Sequence, residues 1–350
     1  MKENRRFSKN LIWTVISLLI AILTIRVIMK QNQDISVSQL VSILRSSDLP
    51  FFIFGIVSAG MFVWFEGVAI CSILKYAGHP RSLKKGFLYS TSDIYFSAIT
   101  PSATGGQPAS AFFMMRDGIP MGIVTATLIL NLMMYTLSII VLGILSVMIS
   151  PRAFWDFGSI SKVFIGIGFV GLSVLVFIFF ILLKKEELIF RPLSKLIIFL
   201  YNKGLIKEKN KKLLKVSKIG NDYKICSALI SGKKRVLFTA FLWNLIQRTC
   251  QLVVPMLIYA SLGGEKVKMA LVFSRQCLVT IGYNFVPIPG GMGISDYLML
   301  DGFCQMMDRQ MAYNVELISR GITFYICVSV SGIITLIGFL YRRSNHDRGL

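Results

Sequence analysis

Arg248 and Arg275 each stand inside a long apolar stretch of this 350-residue chain, Asp296 follows Arg275 in the same stretch, and Glu66 and Asp93 stand inside two others. Charge at such depth marks function by default, and a guanidinium suits bidentate contact with a phosphate. The three carboxylates would then balance the arginines or engage a cationic head group. The competing expectation is internal pairing, such as Asp93 with Arg275, which would satisfy both charges and join two parts of the chain. Arg116, next to Asp117, closes one interrupted stretch, and Arg320 sits close to the outer interface, within reach of snorkelling.

Two short segments add a second chemistry. They read "ITPSATGGQP", Ile99 to Pro108, and "VPIPGGMGIS", Val286 to Ser295. Pro101, Pro287 and Pro289 end helices without presenting an unpaired N–H, while Gly105, Gly106, Gly290, Gly291 and Gly293 allow positive φ and close approach. The helices that resume near Gln107 and Ile294 would aim positive dipole ends at a shared space, an arrangement suited to the anion of a phosphodiester. The expected lipid-binding set is therefore Arg248, Arg275, Asp93, Glu66, Asp296, Thr100, Gln107 and Arg116.

The elements that must position these residues follow from composition. Hydrophobic residues make up 54% of the chain and charged residues 16%, the balance of a polytopic membrane protein. Six segments, near 11–30, 50–74, 121–149, 160–183, 236–261 and 318–341, each supply the ~20 apolar residues that a ~30 Å hydrocarbon core needs. The first is read as a retained helix, since no small-residue cleavage site follows it. The net charge of +21 is concentrated between the apolar runs, which favours an anionic membrane surface over DNA.

Basic residues place the leader, the 75–86 loop, the 184–235 segment and the tail on the cytoplasmic side, so both termini are expected there. Six spans satisfy this only if 87–116 and 267–309 each enter and leave on one side. The expected fold is thus an all-α polytopic membrane protein, about six spanning helices plus two re-entrant helical hairpins. Each break falls 51 residues after the start of a span, 49 to 100 and 236 to 287. That offset pairs 49–149 with 236–341 as an inverted repeat within a single membrane domain, 1–350. The segment 184–235 carries 15 Lys and Arg against 4 acidic residues, with apolar residues at helical spacing, and reads as helices on an anionic leaflet. A tRNA contact there is disfavoured, because lipid charge alone accounts for the lysines.

Other chemistries find no support. The six cysteines are scattered and read as small buried hydrophobes, without a CxxC pair or a metal-ligand spacing. His79 and His346 lack partners at catalytic or metal-binding spacing, and neither glycine pair leads into the GK[ST] of a nucleotide loop. No cofactor and no metal is expected.

The stretches "TPSATGGQPASAFFMMRDGIP" and "PIPGGMGISDYLML", with the length and hydropathy, resemble the lysylphosphatidylglycerol synthase transmembrane family, the flippase-like region of bacterial multiple peptide resistance factors. The resemblance covers roughly 10 to 340. It implies a multi-pass protein of the bacterial inner membrane that handles phosphatidylglycerol or its aminoacylated form, in relatives conferring resistance to cationic peptides. Many relatives are named phosphatidylglycerol lysyltransferase. In two-part relatives a large soluble domain performs that transfer, and none is expected here, since nine residues follow Tyr341. Many members carry an acidic residue after the first glycine pair and an arginine shortly after; here Gln107 and Ala109 to Ala111 occupy those places, which leaves the lipid open. Two readings follow: a flippase-like protein that moves or binds phospholipid through a polar cavity, or the membrane component of a lysylphosphatidylglycerol synthase needing an aminoacyl transferase in trans. A non-transporting scaffold is a third, and oligomeric state is left open.

Overall fold

The computed structural model describes residues 47–100, 104–203, 208–286 and 293–347. The expected first span, 11–30, lies outside them, as do Pro101, Pro287, Pro289, Gly290 and Gly291 of the expected breaks. Helices account for the regular structure of the described residues, with no strand among them. Five helical stretches are long and apolar enough to cross a membrane: Leu49–Tyr76, Met121–Ile149, Ser159–Lys184, Lys234–Ser261 and Arg309–Tyr341. These coincide with five of the six expected spans. The last begins earlier than the expected 318, because Asp308 caps the helix, accepting from the Met311 N–H at 2.9 Å, and its opening turns are too polar to register as apolar.

In chain order α1 (Leu49–Tyr76), α2 (Leu83–Ile99), α3 (Gly106–Arg116) and α4 (Met121–Ile149) form one group. A short α5 (Arg152–Trp155) leads to α6 (Ser159–Lys184), then α7 (Glu187–Asn202) and α8 (Lys209–Ser231). The second group is α9 (Lys234–Leu252), α10 (Val254–Ser261), α11 (Met269–Asn284), α12 (Ile294–Phe303), α13 (Arg309–Arg320) and α14 (Cys327–Asp347).

Two expected spans are not uniform helices. The 236–261 stretch divides at Val253, because Pro255 has no N–H for the Gln251 carbonyl and its ring crowds that turn. The last span carries a π-helical segment, Gly321–Ile326, between α13 and α14.

Helix association in a membrane depends on close packing rather than on exclusion of water, so small residues sit at the crossings. Where α1 meets α2, Gly67 and Gly86 face each other: a Cβ on Gly67 would lie 2.6 Å from the Gly86 carbonyl carbon. Helix α1 packs on α9, α2 on α14, and α11 on α4, α6 and α12. An apolar core fills the space between α4, α6, α11 and α12, with Ile139, Ile165, Leu278, Leu298 and Phe303 buried in it. Outward, α6 exposes Val163, Ile167, Val170, Val174 and Phe177, a single stripe at helical spacing.

Within 184–235 the two helices differ. Helix α7 exposes Leu188, Leu196 and Phe199 beside Arg191 and Lys195. Helix α8 is docked on the Met121 end of α4, where a Cβ on Gly122 would lie 2.4 Å from the Ile219 carbonyl oxygen, and the Tyr223 hydroxyl donates to the Leu182 carbonyl at 2.8 Å. All six cysteines are free thiols; Cys71, Cys226, Cys277 and Cys327 are buried, but Cys304 is exposed at the end of α12, contrary to the expectation that all would pack inside.

Candidate functional site

Polar residues gather in two places on the inner faces of these helices. The first lies where α1, α2 and α3 meet α4 and α9. Glu66, Asp93 and Arg248 are all buried there. The α2–α3 turn is closed by Thr100, whose hydroxyl donates to the Phe96 carbonyl at 2.6 Å and accepts from the Gly105 N–H at 2.8 Å. Gly106 then lets α3 run hard against α2, since a Cβ there would sit 2.0 Å from Asp93 Oδ1 and from Ser97 Oγ. That approach allows Gln107 Nε2 to donate to Asp93 Oδ2 at 2.7 Å, and Ser97 donates to Oδ1 at 3.0 Å. The Ser90 hydroxyl lies 2.7 Å from the Val63 carbonyl and 3.1 Å from Glu66 Oε2. Ser90 stands one turn before Asp93, so the Glu66 and Asp93 carboxyls lie on facing turns of α1 and α2.

Arg248 reaches this pair from α9. Its guanidinium stacks 3.7 Å from the Tyr135 ring centre and 5.0 Å from that of Phe62, and it donates to the Gln251 side chain. No carboxylate lies within 4.0 Å of it among the described residues, and its Nε has no hydrogen-bond partner. Gln247, wholly buried one residue earlier, leaves both amide atoms unpartnered, and Asn244 donates to Asn131 Oδ1 across to α4 at 3.0 Å.

The second place lies between α10, α11, α12 and α13, around a partly open cavity of about 70 Å³ lined by Gln251, Gln276, Ser295, Ser319 and Arg320 among others. Gln251 lines it and also accepts from Arg248, so the two places are one side chain apart. Gly293, at φ +81°, starts α12, and its N–H donates to Asp296 Oδ2 at 2.8 Å. Arg320 donates to Ser295 and to the Asp296 carboxylate, with Glu316 Oε1 3.9 Å from its Nε. The expected snorkelling of Arg320 toward an interface is thereby corrected: two carboxylates hold it buried. Gln276 Oε1 and Ser319 Oγ stay unpartnered.

Of the expected lipid-binding set, Glu66, Asp93, Gln107 and Arg248 come together, with Thr100 closing the turn beside them, and Asp296 belongs to the second place. Arg275 and Arg116 lie elsewhere. Arg275 is almost fully buried, donating to the Gly302 carbonyl and to Asp156 Oδ2, the latter at 2.6 Å, below a surface depression of about 710 Å³. It does not pair with Asp93. Arg116 rests over the rings of Phe112 and Phe339, 4.8 and 5.6 Å from their centres.

Several neighbours were missed at the level of sequence. Asn244, Gln247, Arg248 and Gln251 recur every three or four residues along one face of an apolar helix, and Glu316 precedes Arg320 by one turn. Those spacings carry the signal. Tyr135 and Gln276 are single polar residues in apolar runs, with no pattern to separate them from core.

The family model described as the lysylphosphatidylglycerol synthase TM region matches residues 14–331. No curated protein and no solved structure matches the chain. With that match over most of its length and five apolar helices able to cross a bilayer, the chain is a multi-pass membrane protein belonging to the lysylphosphatidylglycerol synthase TM region family, whose setting is lipid modification or transport.

Proposed function

We propose that the protein is a flippase-like carrier that takes a phospholipid head group, phosphatidylglycerol or its aminoacylated form, into the polar tract running from Gln107 and Arg248 to Arg320. The observation that carries this reading is Arg248: a buried cation without a carboxylate in contact, with an unpartnered Nε, among buried amides that also lack partners. In hydrocarbon each unsatisfied polar group costs several kcal/mol, so such a line is retained where a polar visitor completes it.

The packing supports a repeat of opposite orientation. Helices α1 and α9 pack together, while α2 packs on α14 and α11 packs on α4, the pattern that exchange of two related halves produces. The α2–α3 and α11–α12 pairs are then re-entrant hairpins whose breaks border the tract, and transport is the rocking of one half against the other. The basic residues of 184–235 set that segment and both termini on the cytoplasmic face of a bacterial inner membrane, with α7 against anionic lipid. The family's own description favours a second reading, a membrane component of lysylphosphatidylglycerol synthesis working with a separate aminoacyl transferase.

Reconstitution into vesicles containing fluorescent phosphatidylglycerol tests the first reading, with dithionite quenching from outside reporting lipid that has crossed. The wild type should expose inner-leaflet lipid faster than protein-free vesicles, and Arg248→Ala should lose the gain while remaining monodisperse in detergent. Equal rates for the wild type and empty vesicles, or an unaffected Arg248→Ala, would overturn it.

A further inference from the structure

Glu66 and Asp93 face each other in the tract with a single cation nearby among the described residues. Both carboxyls are buried, and Ser90, whose hydroxyl touches Glu66, stands one turn before Asp93 on α2; two buried carboxylates on facing turns beside one cation do not both keep their charge, so the pair holds one proton. The groups that face the pair are few. Arg248 comes from α9, and Tyr135 comes from α4 with Tyr283 of α11 behind it. Ser90 and Ser97 of α2 and Gln107 of α3 supply neutral donors. From α10 and α14, Ile258 lies against Gly55, the Cys327 thiol meets the Ala59 carbonyl, Gly338 lies against Leu88 and Gly332 against the Tyr95 ring of α2, and α14 also buries the uncharged hydroxyls of Ser331 and Thr335.

Charge therefore balances in one way when the tract is empty: Arg248 contributes one positive charge, and the carboxyl pair, holding one proton, contributes one negative. A phosphodiester placed against Arg248 adds a second negative charge in a region of low dielectric, within reach of the remaining carboxylate. Like charges so placed disfavour each other unless one is neutralised, and the carboxylate alone can accept a proton there. The free Nε of Arg248 is an independent sign that an anion completes this site, since a buried guanidinium without an ion pair leaves its charge uncompensated at contact range.

We infer that Glu66 and Asp93 form a proton-binding site coupled to the lipid site, such that each phosphodiester admitted beside Arg248 is accompanied by one proton. This rests on the head-group reading above and deepens it, because a proton gradient would then bias the direction of lipid movement. By linkage, affinity for the anion falls about tenfold per pH unit once the pH exceeds the value at which the second proton leaves the pair.

Titration calorimetry of the purified full chain with short-chain phosphatidylglycerol tests the coupling, repeated in two buffers of different ionisation enthalpy between about pH 5.5 and pH 8. The expected result is uptake of about one proton per lipid bound and an affinity that weakens with rising pH. Glu66→Gln combined with Asp93→Asn should bind with no proton uptake and no pH dependence. If that variant does not fold, the wild type alone decides. Binding by the wild type without proton uptake overturns the coupling and leaves the head-group reading standing, whereas no binding at any pH overturns both. Dimethyl phosphate serves as the chain-free probe: equal uptake upholds the coupling and assigns it to the phosphodiester itself, and uptake with lipid alone upholds it for the lipid.

Discussion

The contact between Gly67 and Gly86 sets the depth at which Glu66 meets Ser90 and Asp93, and it can be perturbed by a single methyl group. Gly67→Ala places a Cβ 2.6 Å from the Gly86 carbonyl carbon and 2.8 Å from the Phe87 nitrogen. Both are backbone atoms, so no rotamer change relieves the clash. To recover the 3.4 Å of ordinary contact the helices must part by about 0.8 Å, the difference between the two distances. The Ser90 to Glu66 contact of 3.1 Å, one turn away, would then stretch to about 3.9 Å, beyond hydrogen-bond range. Overpacking of this kind costs about 1–3 kcal/mol. Gly60→Ala, on the same helix with nothing within 4 Å of its added Cβ, is the matched control. It should be neutral or stabilising by up to ~1 kcal/mol, since alanine favours helix. Thermal unfolding in detergent, followed alongside lipid transport in vesicles, separates the two. Equal unfolding temperatures and equal transport for both variants would refute the close crossing and its role in setting the carboxyl pair.

Asn131→Leu leaves one N–H of the buried Asn244 amide without its acceptor, the other still reaching the Ala240 carbonyl, and should destabilise by about 1–3 kcal/mol, much of it recovered when Asn244→Leu is added; thermal unfolding of the single and double variants checks this. Arg320→Met leaves Asp296 and Glu316 facing each other without their cation and should cost up to about 3–5 kcal/mol, relieved by adding Asp296→Asn and Glu316→Gln; no loss in the single variant would contradict the buried pairing. Outside the spans, the Glu186 carboxyl is held below its ordinary 4.5, first by a backbone N–H and then by the Lys224 ammonium 3.1 Å away. A lowered folded value means its stabilisation is complete above 4.5 and lost as the pH falls through that lowered value, so the contact between α7 and α8 should loosen only in acid. Hydrogen exchange over residues 187–231 should show that step in the wild type and not in Glu186→Gln.

The spanning helices were legible because twenty apolar residues in a row have few alternatives. Four coincide within a few residues with those expected, and the fifth begins earlier, at Arg309, because a cap and a polar first face are invisible to an average of hydropathy. The grouping of Glu66, Asp93 and Gln107 was legible in part, since a glycine pair beside an amide announces close helix approach. Which arginine would join them was not. Arg248 and Arg275 are equivalent in a hydropathy plot, and what separates them is long-range: Asp156, 119 residues from Arg275 in sequence, pairs with it, while Tyr135 of α4 receives Arg248. Partner choice across such separations is written in the packing of whole helices, which no local pattern encodes.

The interrupted helices bear on which part of the molecule can yield. Pro255 leaves the Gln251 carbonyl without its usual helical donor, and the π turn at Gly321–Ile326 widens the backbone by one residue, both beside the 70 Å³ cavity. Helices α1 and α4 carry no such defect over 28 and 29 residues. A rod with a missing rung bends where the rung is absent, so the helices on the Pro255 and π-turn side of the tract yield more readily than α1 and α4. The opposite side, built on the unbroken α1 and α4, is the stiffer wall, so the tract has a hard jaw facing a soft one.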